Sequence, residues 1–402
     1  MSNYLSGANN EAILQRKHLV VRLPFITQTI ALAFVPFEEL FTFQFGGILR
    51  IINLITIVLS FTTVRLSKIK TYPSTLYLTL FVFLAAISYL WCFNTGLYFD
   101  RILTYGLYLI LIMVLGSLAP TSTEKNAMLN GLFIGGVIAS ALLLMTNVSS
   151  LGDRSTLMMF GKTVNPNRLS FSFALSINIS TYKLLYSKKS SRINCILWVL
   201  SDILLVAGVV VSGSRSSFIV SLVCVFFLVW KRDFGNNSKL KRLFFVVFLL
   251  LIVYIIYSEF VLGSEFGDRF TLDNLTGQGD YGSANRDRIW DAALSQIIKK
   301  PILGYGNGAS PYVIAELYIF YSTHNSYLMI LLEFGIIGFI ICFAMFISLY
   351  RRHKFQNNQL FCCFIVCILV DIIFVELFSA KVFWAVMLLL MVCQNNVDRK
   401  LK

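Results

Sequence analysis

Twelve apolar stretches, many of them long enough to cross the hydrocarbon of a bilayer, leave this chain few ways to fold. A helix that spans a membrane needs about 20 mostly apolar residues, and its backbone groups must find their partners without water. The stretches lie near residues 23–37, 44–64, 73–93, 101–119, 127–147, 168–187, 193–211, 216–230, 243–257, 327–350, 360–378 and 380–394. The expected fold is all-α: a polytopic membrane protein of about 12 transmembrane helices. Composition agrees. The chain is 57% hydrophobic and 13% charged, with a mean hydropathy of +0.75, too apolar for a dispersed soluble protein. Its 36 Phe and 18 Tyr suit lipid-facing helices and interfacial belts.

Lysine and arginine give the expected orientation. Alternate connections are basic, and with the termini they hold 22 of the 34 Lys and Arg. Examples are Arg65/Lys68/Lys70, Lys231/Arg232 with Lys239/Lys241/Arg242, and Arg351/Arg352/Lys354. The positive-inside bias puts both termini in the cytoplasm, in agreement with an even number of spans. The net charge of +14 follows from this bias, so nucleic acid is not an expected partner. No signal peptide is evident, and the polar residues 1–15 lead straight into the polytopic pattern. The eight cysteines all fall inside apolar stretches with no C-x-x-C among them, and they read as packing residues.

The chain reads as one membrane domain, residues 1–402, with one long polar interruption at 258–323 between spans nine and ten. That loop is too short to be an independent catalytic domain, so it must work together with the spans. Within it, Asp287–Lys300 places Ile289, Trp290, Ala293, Leu294, Ile297 and Ile298 at helical spacing, which predicts an amphipathic helix on the membrane surface. Pro301 stops this helix, and Gly304-Tyr305-Gly306-Asn307-Gly308 turns the chain back.

The densest chemistry lies on the less basic side. Arg215 sits in a tip of small residues, Ser212-Gly213-Ser214-Arg215-Ser216-Ser217, where a helix begins; its guanidinium there suits a pyrophosphate. On position alone, a snorkelling arginine that caps two helices explains it at least as well. Arg286 and Arg288 flank the start of the amphipathic helix and suit a lipid phosphate, or equally Asp287, Asp291 and lipid headgroups. His324 follows Tyr321-Ser322-Thr323 at a membrane boundary, where an imidazole can take a proton from a sugar hydroxyl. A histidine that only caps the next helix is the plain alternative, with Asn325 or Ser326 as the N-cap. Glu333, Asp371 and Glu376 fall inside apolar stretches, and they read first as partners of buried cations. Glu38-Glu39 is a weak metal-site signal. Walker A, D-x-D, G-x-S-x-G and H-E-x-x-H sequences are absent.

Three segments in order, SGSRSSF (212–218), NRDRIWDAALSQIIKKPILGYGNG (285–308) and HNSYLMILLEFGIIGF (324–339), resemble the O-antigen polymerase/ligase family. Arg215 matches the arginine of the Ser-rich tip, and Arg286 the arginine four residues before Trp290. Pro301, Gly304 and Gly306 match the turn, and His324, Asn325, Leu328, Gly335 and Gly338 the last element. Asn165-Pro166-Asn167-Arg168 resembles a weaker feature, and Arg288 is an extra basic residue. The resemblance covers roughly residues 165–340.

It implies glycosyl transfer from an undecaprenyl-pyrophosphate-linked oligosaccharide on the outer face of the inner membrane. His324, Arg215 and Arg286 would be catalytic; Arg288, Asn325, Trp290 and Arg154 would bind substrate. No cofactor or metal is expected, because pyrophosphate is already a leaving group. Membrane lipids, a chain-length regulator and a flippase of the same pathway are the expected partners. Polymerisation of repeat units into O-antigen, capsule or a related polysaccharide is the leading expectation, and ligation of polymer to lipid A–core the alternative. A polysaccharide flippase or transporter, or a metal-dependent GT-C transferase, would share the helical pattern.

Overall fold

The computed structural model describes residues 21–42, 47–63, 72–145, 155–187, 191–232, 286–317 and 322–394. Arg154, the expected ninth span near 243–257 and the first part of the long loop lie outside the described residues. The other eleven expected spans each coincide with a helix: α1 (Leu23–Phe34), α2 (Ile48–Phe61), α3 (Pro73–Ile87), α4 (Tyr98–Ser117), α5 (Ser122–Met145), α6 (Pro166–Tyr186), α7 (Arg192–Val211), α8 (Arg215–Lys231) and, beyond the loop, α11 (Ser326–Phe355), α12 (Gln359–Asp371) and α13 (Lys381–Val392). The loop contributes α9 (Arg286–Lys299) and the short α10 (Ser310–Ala315). A two-residue hairpin, β1 (Met158–Met159) with β2 (Lys162–Thr163), sits ahead of α6.

Among the described residues, five helices are long and apolar enough to cross a membrane: α4, α5, α7, α11, and α3 extended by a 3-10 turn to Trp91. Four more helices are shorter and apolar: α1 with its 3-10 extension, α2, α12 and α13. The chain is thus an all-α membrane protein.

Start signals at several helices are local and chemical. Proline opens α1, α3 and α6, where its missing N–H costs nothing. Thr121 and Glu124 form a reciprocal capping box at α5: Glu124 N donates to Thr121 Oγ1 at 3.3 Å, and Thr121 N to Glu124 Oε2 at 2.8 Å. Arg22 then clamps Glu124 through Nε and Nη2, both at 2.7 Å, and ties α1 to α5.

Two helices are enclosed by others. Every residue of α13 from Val382 to Val392 is buried, which its apolarity on all sides predicts. The other, α6, is less apolar and packs against α5, α7, α8 and α12. Its Ser172, Ser176 and Ser180 return their hydroxyls to carbonyls one turn back, at 3.2, 2.9 and 3.0 Å. Small residues that satisfy themselves in this way let neighbouring backbones approach closely without an orphaned polar atom. By contrast α7 is peripheral, with Ile193, Ile196, Leu200 and Ile203 exposed along one side.

The connections sort to two ends. Ser74 Oγ donates to Gln394 Oε1 at 2.8 Å, and Gln356 donates to the Gln394 carbonyl, so the start of α3 meets the ends of α11 and α13. At the other end, Glu39 meets Arg168, Arg168 meets Ser379, and Ser155 N reaches the Val211 carbonyl. One expectation needs correction. The eleventh span ends as a helix at Asp371 rather than near 378, and residues 372–380 form a loop, so Glu376 is not a mid-helix acid.

Candidate functional site

His324 occupies a tight turn between the loop and α11. Its φ of +49° lies in the left-handed region, an uncommon conformation for a residue with a side chain. The turn is fastened on both sides. His324 N donates to Ser322 Oγ at 3.3 Å, and Thr323 Oγ1 donates to the Asn325 carbonyl at 2.9 Å. Asn325 is the N-cap of α11, with Oδ1 accepting from Tyr327 N at 2.9 Å and Leu328 N at 3.2 Å. Trp290 Nε1 donates to the Thr323 carbonyl at 3.1 Å, which joins α9 to the turn.

Helix α9 begins at Arg286, one residue before the expected start; the side chain of Arg286 lies outside the described residues, and Arg288 is exposed. The amphipathic face divides in two. Ile289 and Ala293 bury themselves against Tyr305, Ala309, Val313, Ile314 and Leu332, whereas Leu294 and Ile298 face outward. The helix therefore docks on protein with one half of the face that was expected to lie against the membrane surface.

The turn after α9 is inserted into a break in α11. At Gly335 the backbone leaves the helix, with φ +59° and ψ −160°. Tyr305 N and Gly306 N donate to the freed carbonyls of Leu332 and Glu333 at 2.7 and 2.9 Å. Ile336 N and Ile337 N, on the far side of the break, donate to the carbonyls of Pro301 and Ile302 at 2.8 and 3.4 Å. A Cβ on Gly335 would stand 2.2 Å from the Ile302 oxygen, and one on Gly304 2.5 Å from the Leu332 oxygen. The Pro-x-x-Gly-x-Gly and Gly-Ile-Ile-Gly segments are thus two halves of one splice.

Beneath this lies a buried charge cluster. Arg101, at the start of α4 and 6% exposed, donates through Nη1 to both oxygens of Glu333, at 2.6 and 2.8 Å. Its Nη2 donates to Glu376 Oε1 at 3.1 Å. Ser310 Oγ donates to Glu333 Oε1 at 2.7 Å, and Ser322 Oγ donates to Glu376. One guanidinium thus ties α4, α11, the 372–380 loop, α10 and the His324 turn together. Glu333 and Glu376 pair with a buried cation, as their apolar sequence context suggests. Arg101 escaped the sequence reading; the available signal was that two acids in apolar surroundings require a cation from some other apolar stretch.

Arg215 is the first residue of α8, half-buried behind Gly213. Its neighbour Ser216 lies next to the carboxyl of Asp371. From there the chain passes to Ile372, whose carbonyl accepts from Ser326 N at 2.8 Å, and Ser326 Oγ donates to the Val375 carbonyl at 2.8 Å. The tip of Arg215, the first turn of α9 and the turn of His324 therefore lie on one end of the bundle, linked through the 372–380 loop and Trp290. Glu38 and Glu39 lie on the same end and are engaged otherwise: Lys381 N donates to Glu38 Oε1 at 3.2 Å, and Arg168 Nη1 to Glu39 Oε1 at 2.6 Å. Among the described residues no group of three or more His, Cys, Asp or Glu could hold a metal ion.

Cysteines in the described residues are all free thiols. Cys224 and Cys367 approach to 3.3 Å between sulfurs, well beyond a disulfide bond length, and pack α8 against α12.

Residues 200–343 match the family described as O-antigen ligase, a stretch that contains all three motif segments. The match supports the O-antigen polymerase/ligase family. No curated protein matches the chain. A chain from a solved peptidoglycan synthase complex aligns over 80% of this chain and 96% of its own length, with 13% identity and a TM-score of 0.46.

Proposed function

We propose, from the premise that residues 200–343 carry an O-antigen ligase family domain, that this protein polymerises undecaprenyl-pyrophosphate-linked oligosaccharide repeat units into a surface polysaccharide. The reaction takes place on the outer face of the inner membrane, with both termini in the cytoplasm. The observation that supports this reading is that the second and third motif segments are joined to each other, through Trp290 and through the splice in α11, while the first lies on the same end of the bundle and connects to them through Asp371 and the 372–380 loop.

The acceptor sugar hydroxyl attacks the anomeric carbon of the donor glycan, and the bond from that carbon to the pyrophosphate oxygen breaks. Undecaprenyl pyrophosphate leaves with the electron pair. His324 takes the hydroxyl proton as general base. Arg215 and Arg286 neutralise the charge that develops on the leaving pyrophosphate. One displacement with one base inverts the anomeric carbon. Arg288, Trp290 and Arg154 bind the lipid-linked substrate, and Asn325, which caps α11, offers its amide nitrogen to a sugar. The leaving group needs neither ATP nor a metal, so transfer should be unaffected by EDTA.

The test is polymerisation in vitro from a synthetic lipid-linked repeat unit. His324→Ala should abolish polymer while the protein still reaches the membrane; normal polysaccharide banding from that variant would refute the assignment. The family description favours a second reading, ligation of polymer to lipid A–core. A deletion strain separates the two. Loss of a polymerase leaves one repeat unit on the core, whereas loss of a ligase leaves bare core and accumulates lipid-linked polymer.

A further inference from the structure

At the end of the bundle away from His324, the first turn of α3 and the last turns of α11 diverge around a cleft of about 610 Å³. It lies roughly 30–40 Å along α11 from the His324 turn. Its size is that of a small-ligand site. Tyr77 forms one wall, and Ala344 and Ile347 the other. Gln394 closes the base, held by Ser74 and Gln356 and 2% exposed. Arg351 and Arg352 stand at the mouth, both exposed. Among the described residues the lining contains no carboxylate.

The chemistry of this cleft is that of an amphiphile receptor. The walls are apolar and belong to helices that cross the bilayer, while two guanidiniums stand where those helices end. A lipid with no net negative charge would leave the charge of the two guanidiniums uncompensated, and a soluble anion would not use the walls. We infer that the cleft binds an anionic glycerophospholipid, with its phosphate held by Arg351 and Arg352 and one acyl chain lying along Tyr77, Ala344 and Ile347. Guanidinium pairs bidentately with phosphate oxygens, and basic pockets between spanning helices hold anionic headgroups. The inference is independent of the roles assigned to His324, Arg215 and Arg286.

The experiment uses the full chain purified in detergent, titrated with phosphatidylglycerol or phosphatidylcholine and read by native mass spectrometry. One equivalent of phosphatidylglycerol should survive delipidation of the wild type. A basic residue near an anionic headgroup is worth roughly fivefold in affinity, so Arg351→Gln with Arg352→Gln should weaken phosphatidylglycerol about thirtyfold. Lys354→Gln, just outside the cleft, should change little. Ala344→Trp should block the acyl groove and release the lipid with both arginines in place. Thermal unfolding in phosphatidylcholine micelles should be the same for wild type and the arginine variants, because both side chains are exposed. Unchanged phosphatidylglycerol affinity in the double variant would overturn the inference, as would equal retention of phosphatidylcholine by the wild type or full retention in Ala344→Trp.

Discussion

Replacing Arg101 with methionine is the sharpest test of how the site is held. The substitution keeps much of the side-chain volume and removes the one cation shared by Glu333 and Glu376. Removing one partner of a buried ion pair costs about 3–5 kcal/mol, because the other charge stays buried and unpaired. Here one cation serves two acids through contacts of 2.6, 2.8 and 3.1 Å, so the upper end, about 5 kcal/mol, is expected. Neutralising the acids as well should restore most of the loss. Arg101→Met/Glu333→Gln/Glu376→Gln should be within about 2 kcal/mol of wild type, since uncharged groups of similar shape avoid the desolvation penalty. The assay is reversible unfolding of the purified protein in mixed micelles, run as a mutant cycle, with polymer formation by the same proteins as a second readout. A loss below about 1 kcal/mol for Arg101→Met, or a triple variant no more stable than the single, would refute the reasoning; the cluster would then be hydrated and weak.

Three further outcomes follow from local geometry. Gly335→Ala combines a positive φ with a Cβ 2.2 Å from the Ile302 oxygen; it should cost about 3 kcal/mol or more and lower the amount of folded protein in the membrane, measured by fluorescence-detected size exclusion. Trp290→Phe keeps the ring packing but loses the bond to the Thr323 carbonyl; a loss of about 1 kcal/mol in thermal stability is expected, with polymer yield falling while expression stays normal. Glu38 lies beyond the end of α1, where burial pushes its carboxyl up to about 7 against the pull of Lys381 and Arg168. The folded protein then holds a proton that the unfolded chain releases near pH 4.5, so this contribution to stability is complete below that pH and is lost as pH rises through about 7. Glu38→Gln should flatten the decline over that window in pH-dependent unfolding.

How much of this was legible in the sequence depends on what each feature requires. Hydropathy located eleven helices of the described residues within a few positions, because lipid demands long apolar helices whatever their packing. Helix α9 was also legible: the expected 287–300 is found as Arg286–Lys299, since its periodicity and Pro301 are local signals. The break at Gly335 was not, because a glycine in an apolar run leaves hydropathy almost unchanged, and its partners Pro301 and Ile302 lie more than thirty residues earlier in the chain. Arg101 was missed for the same reason, since its meaning lies in acids 232 and 275 residues away. The shortening of the eleventh span reflects the opposite error. Residues 372–378 are apolar enough to extend a helix, but they fold as a loop whose carbonyls and amides are taken up by Ser326.

The splice between the 301–306 turn and α11 limits how this part of the chain can move. Four peptide groups of α11, the carbonyls of Leu332 and Glu333 and the amides of Ile336 and Ile337, have partners in that turn. Swinging the turn aside would strand them in surroundings with little water, at about 1–3 kcal/mol each. Lifting of the 301–306 turn away from α11 is therefore disfavoured. Helix, turn and histidine are expected to move as one part, so the lipid-linked substrate proposed above would have to reach them by a path that leaves the turn in place.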